Sequence, residues 1–176
     1  MIVMRRLGVI VALGALLGML GGLLIASPAL AGRGHKWQFG PAKPFTLPAS
    51  FCGFKVRVAP VVNKEFEKIL KTADGSMTFL FTGSFRASYT NLSTGKAVTE
   101  NESGPGKVTT HADGSVSVRE QGHTPIILVP ADAKRFGLPT VGVTTGALTF
   151  SVAADGSITS VSLRGHVLVN VCAALS

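Results

Sequence analysis

Val141–Cys172 reads V-G-V-T-T-G-A-L-T-F-S-V-A-A-D-G-S-I-T-S-V-S-L-R-G-H-V-L-V-N-V-C. Two long arms rich in β-branched residues flank Ala154-Asp155-Gly156-Ser157, and an Asp-Gly pair between alternating apolar runs is a strong short-range hairpin signal. Fully extended, residues 157–171 would span roughly 50 Å at about 3.3 Å per residue, too long for one flat strand in a domain of this size. The arms must therefore bend, and Gly146 and Gly165 are the positions that permit it.

The rest of the chain repeats this scheme at shorter length. Phe54, Val56 and Val58 alternate with Lys55, Arg57 and Ala59, which predicts a half-buried strand that Pro60 ends. Asn63–Thr72 fits either a helical face (Phe66, Ile69, Leu70) or a bulged strand; the following Ala73-Asp74-Gly75 favours the strand. Ser76–Thr90 alternates, with Met77, Phe79, Phe81, Phe85 and Ala87 on one face and Gly83 as a bend. Lys96–Ser103 reads as a polar strand. Lys107–Ala112 and Ser115–Gln121 flank Asp113-Gly114 and predict a hairpin with a type I′ turn. Thr124–Val129 is a continuous apolar run, expected as a buried strand. Pro130–Pro139 is a loop with room for one helical turn at Asp132–Arg135. Short connections between successive strands imply antiparallel pairing. The expectation is an all-β antiparallel meander of about eight or nine strands forming a barrel or strongly rolled sheet, with a two-sheet β-sandwich as the alternative.

The N-terminus follows another logic. Arg5-Arg6 precede an apolar run of about 20 residues, Leu7–Ala26, and Ser27-Pro28-Ala29-Leu30-Ala31 carries the small residues of a cleavage site. Residues 1–31 therefore read as a signal peptide cleaved after Ala31, which makes the protein secreted. The alternative is an uncleaved membrane anchor, for which the run is just long enough. Residues 32–50 form a basic, extended arm in which Pro41, Pro44 and Pro48 exclude regular helix. Its Trp37, Phe39, Phe45 and Leu47 are expected to pack on the domain, or to contact a partner. Residues 51–176 form the single domain.

The whole chain has net charge +8. Without residues 1–31, which hold Arg5 and Arg6 and no acid, +6 remains. That charge favours anionic surfaces such as wall polymers or lipid headgroups. The cations are scattered and not clustered with exposed aromatics, so nucleic acid is not an expected partner. The only cysteines, Cys52 and Cys172, lie in the exported part, and an even count in an oxidising compartment predicts one disulfide. It would tie the first core strand to the last, worth about 5 kcal/mol as an upper estimate.

Motifs of chemistry are sparse. His35, His111, His123 and His166 stand in no metal-binding spacing, and no metal or cofactor is expected. Nucleophile elbows and phosphate loops are missing, and no catalytic residue is assigned. A polar set is worth following: Glu100 and Glu102 on one strand face, His111 within reach of Glu120 across a hairpin, Arg119, and His166 beside Arg164 and Asn170. Asn91-Leu92-Ser93 and Asn101-Glu102-Ser103 match the glycosylation pattern, which matters only in a eukaryotic secretory pathway.

With F-C-G-F-K-V at 51–56, N-L-S-T-G-K at 91–96, E-S-G-P-G at 102–106 and the closing V-C-A-A-L-S, the chain resembles small secreted β-proteins of actinomycete bacteria with no established activity. The architecture is also similar to small lipocalin-like or dirigent-like barrels, which by itself implies no function. Two functions are expected on these grounds. The first is a secreted, non-enzymatic β-barrel domain that binds a small apolar ligand or a cell-surface component. The second is a small barrel enzyme, an isomerase or hydrolase, with its site in the barrel mouth.

Overall fold

The computed structural model describes residues 36–176; the signal-peptide and cleavage-site readings fall outside them. Nine strands form one antiparallel sheet: β1 Gln38–Phe39, β2 Phe45–Leu47, β3 Val56–Lys71, β4 Met77–Asn91, β5 Ala97–Asn101, β6 Gly106–Thr110, β7 Val116–Ile127, β8 Val141–Val152 and β9 Ile158–Asn170. Two short helices, α1 Pro130–Phe136 and α2 Val171–Leu175, follow β7 and β9. Among the described residues no helix is long and apolar enough to cross a membrane. The pairing path runs β1-β3-β4-β6-β7-β8-β9, with β2 also on β3 and β5 also on β4.

The expected closure into a barrel is not present in this hydrogen bonding. Among the described residues no pairing joins β9 to β1, β2 or β3. The physical reason lies in the arm. β1 and β2 are two and three residues long, and the prolines around them lack the N–H that a ladder needs. What ties the two ends is covalent. Cys52, just before β3, is bonded to Cys172 in α2 across 120 residues of sequence, with Cα atoms 5.1 Å apart. Around that bridge, Leu47, Val56, Val58, Ala87 and Tyr89 from the first strands pack with Ile127, Val141, Val171 and Leu175 from the last. The Asn170 side chain caps α2 by accepting from Ala173 N–H, and the Asn91 amide donates to the Leu175 carbonyl.

Two local features differ from the sequence reading. Pro60 does not end its strand: β3 continues to Lys71 through a bulge at Val61. The bulge absorbs the missing proline N–H and leaves Val61 exposed. The hairpin turns are also not type I′. Asp74, Asp113 and Asp155 keep negative φ, and only the following Gly75, Gly114 and Gly156 are left-handed. Each aspartate instead accepts hydrogen bonds from the backbone N–H and hydroxyl of the serine two residues on. That is the Asx-turn chemistry of a type I turn followed by a glycine bulge.

The glycines expected to bend the long arms are aligned across strands. Gly122, Gly146 and Gly165 face one another in register on β7, β8 and β9. A Cβ on Gly146 would stand 2.2 Å from the Arg164 carbonyl oxygen, and its φ is +103°. Along this glycine crease the strand backbones approach too closely for side chains to fit. In α1, Pro130 sits in the first turn and the left-handed Gly137 terminates it. The helix covers a second apolar cluster of Leu128, Ala133, Val152 and Ile158.

Candidate functional site

The inner side of the sheet encloses a cavity of about 180 Å³. Its walls are mainly apolar, with Phe79, Phe81 and Phe85 of β4, Val108 of β6, Val118 and Ile126 of β7 and Phe150 of β8. Glu65, Glu102 and Glu120 line it too, each from a different element.

Glu65 arrives by way of the bulge. Before it, Val56, Val58 and Pro60 oppose the inward residues Asn91, Tyr89 and Ala87 of β4. After it the parity flips, and Asn63, Glu65 and Glu67 oppose Phe85, Gly83 and Phe81. Glu102 follows β5 on a segment that bridges β4 and β7. Its N–H donates to the Phe85 carbonyl at 2.9 Å, and His123 N–H donates to the Ser103 carbonyl at 3.1 Å. Asn101 shapes this bend by accepting from the Ser103 N–H and hydroxyl. Glu120 continues the inward series Val116, Val118, Glu120 of β7, opposite Gly106.

Burial is the first cause of their ionisation behaviour. It raises Glu102 to about 7, helped by the charges of Glu65, Glu100 and Glu120 and opposed by a hydrogen bond from Tyr89. Burial likewise raises Glu120 to about 7, with Glu65 adding to it and the Thr124 hydroxyl opposing it. Glu65 is raised to about 7 by burial and by Glu67. Tyr89 is buried and donates its hydroxyl proton to Glu102 Oε1. Burial, and then the Glu102 charge, hold its phenol well above the ordinary value. Near neutral pH these carboxyls can each hold or release a proton, the property that suits a group to proton transfer or to a ligand's charge.

The sequence-derived polar set divides. Glu102 is in the cavity wall, and Glu100 is near enough for its charge to act on Tyr89 and Glu102. His111, Arg119 and His166 are exposed. The pairing of His111 with Glu120 does not occur: His111 Nε2 is 2.9 Å from the Ser117 hydroxyl, on the outer side of the hairpin, while Glu120 points inward. Among the described residues no group of three or more His, Cys, Asp and Glu is arranged to hold a metal ion. Trp37 and Phe39 of the arm are 49% and 54% exposed, whereas Phe45 lines the cavity and Leu47 is fully buried. Glu65 and Tyr89 are the residues that the motif reading missed, and Glu120 entered it only as a partner for His111. A carboxyl at an inward position of an apolar strand face was the available signal for Glu120; for Glu65 the bulge concealed it.

No protein-family model, curated protein or solved structure matches the chain.

Proposed function

We propose that this is an exported, non-enzymatic binding domain that takes a small apolar ligand into the cavity of a strongly rolled, barrel-like sheet. The observation that carries this reading is the aromatic-lined cavity of about 180 Å³. Cavities near 150 Å³ accept a benzene-sized guest, so this one suits a single ring with a short substituent. The disulfide is compatible with an oxidising compartment. The glycine crease and the cross-sheet core around Tyr89 and Val141 support the rolled form. In this reading the kinship is with small exported actinomycete proteins, and the net positive exterior serves contact with an anionic cell surface. Calorimetric titration with toluene tests the cavity: saturable binding, lost in a folded Val118→Trp variant, is expected. Absence of binding to the wild type would overturn the reading.

A second reading has one observation in its favour: Glu102, which accepts from Tyr89, and Glu120 bring carboxyls poised near neutral pH to an apolar cavity, as a small isomerase or hydrolase would require. Turnover of a bound ligand, abolished by Glu102→Gln, would replace the binding reading with this one.

A further inference from the structure

We propose that the cavity selects a small organic cation, a primary amine of about the size of phenylethylamine, with its ammonium group among Glu65, Glu102 and Glu120 and its apolar body on the Phe79–Phe81–Phe85 wall. This deepens the binding reading and rests on it.

The three carboxyls come from β3, from the segment after β5 and from β7, and all three line the same cavity. Two are more than nine-tenths buried: Glu102 and Glu120 are each 8% exposed. Their proton donors are few. Glu102 receives the Tyr89 hydroxyl, and Glu120 has the Thr124 hydroxyl beside it. A carboxylate accepts up to about four hydrogen bonds. Both therefore keep unused acceptor capacity, and both line the cavity. Lys43 and His123 also line it, but neither is among the charges that act on the three glutamates. Glu67 lines the cavity beside Glu65, and Glu100 acts on Glu102, so further negative charge comes from β3 and from β5 as well.

A buried group of carboxyls without a counter-cation is costly, and it relieves the cost by holding protons. A ligand ammonium relieves it instead. It supplies three donors to the free acceptor positions, and it lets the carboxyls ionise. The phenyl rings add to the same preference, since an aromatic face attracts a cation. An anionic ligand would meet repulsion. A neutral alcohol would fill the apolar volume while leaving the carboxyl charges unanswered. The proton balance is explicit. Below neutral pH the ligand ammonium enters as R-NH3+, a protonated carboxyl gives up its proton to solvent, and the ion pair R-NH3+·carboxylate remains. Binding then releases up to one proton. Affinity rises with pH through about 7 and levels off until the amine itself deprotonates.

The test uses the full chain with its disulfide formed and three matched probes: 2-phenylethylamine, 2-phenylethanol and 3-phenylpropionate. Calorimetry reports on each. At pH 7.5 the amine should bind at least tenfold tighter than the alcohol, and the carboxylate should not compete. At pH 6, calorimetry in two buffers of different ionisation enthalpy should show proton release with the amine and none with the alcohol. Glu102→Gln/Glu120→Gln should erase the amine preference while the alcohol still binds. If the alcohol binds and equals or exceeds the amine, the cation inference fails and the cavity reading stands. If no probe binds, the cavity reading itself has failed. Where the double variant does not fold, absence of proton release from the wild type overturns the inference on its own.

Discussion

At the disulfide end of the sheet, Leu47, Val56, Val171 and Leu175 are wholly buried around the Cys52–Cys172 bridge. Further along the same sheet, the inward positions Glu65, Glu102 and Glu120 carry carboxyls around a cavity. Both regions are built from the same alternating strands. One is packed and covalently pinned. The other keeps open volume and tolerates carboxyls whose ionisation burial opposes. A sheet of this kind can devote one end to stability and leave the other available for a ligand. Tyr89 belongs to both, since it packs in the apolar cluster and donates to Glu102.

The largest effect should come from breaking the packed end. Cys172→Ala removes a bridge spanning 120 residues and should cost up to about 5 kcal/mol. Thermal unfolding should shift down by more than about 10 °C. An unchanged melt would mean that apolar packing alone holds that end.

The cavity end should show itself through pH. Glu65, Glu102 and Glu120 have folded values near 7 against an ordinary 4.5. A carboxyl raised in the folded state contributes stability that is complete below about 4.5 and lost as pH rises through about 7. One such glutamate corresponds to about 3 kcal/mol. Urea unfolding should therefore show stability falling by at least about 3 kcal/mol from pH 5 to pH 8, with coupling among the three keeping the total below their sum. Glu102→Gln/Glu120→Gln should flatten the curve. The turn residues Asp74, Asp113 and Asp155 are lowered by their serine hydrogen bonds. Their contribution is present above about 3.8 and fades only below it, outside this window. A stability that rose from pH 5 to 8 would contradict the buried-carboxyl account.

The glycine crease crosses β7, β8 and β9. Gly146→Ala places a methyl 2.2 Å from the Arg164 carbonyl at a positive φ and should cost about 2 kcal/mol or more. Chemical denaturation measures it, and a neutral result would mean that the crease is soft. The smallest effect is expected at the residue shared by both ends. Tyr89→Phe keeps the packed ring and deletes the donor to Glu102, for about 1–2 kcal/mol. Because that bond lowers Glu102, its loss should move the midpoint of the pH-dependent stability change upward. A fixed midpoint would detach Tyr89 from the carboxyl.

Much of the fold was readable because strand alternation and turn chemistry are local. The hairpins at the D-G-S turns and the strand over Asn63–Thr72 each follow from a few neighbouring residues. The polar set was less readable. His111, Arg119 and His166 looked equivalent to Glu102 as polar residues on strands, but facing direction separates them, and direction depends on register. One inserted residue at Val61 reverses the face of all that follows on β3. Glu65 therefore could not be placed from its spacing to Val56 and Val58.

The sequence by itself determined an all-β chain with antiparallel hairpins and a single possible intramolecular cysteine pairing, because periodicity, turn residues and cysteine count are properties of short segments and simple arithmetic. Only the tertiary structure decided that the sheet's edges are joined by Cys52–Cys172 and not by a hydrogen-bonded seam, and that three glutamates distant in sequence share one cavity. Those outcomes depend on a bulge, a crease and the pairing of strands far apart in the chain, and the energy of a buried carboxyl is set by what the rest of the fold brings around it.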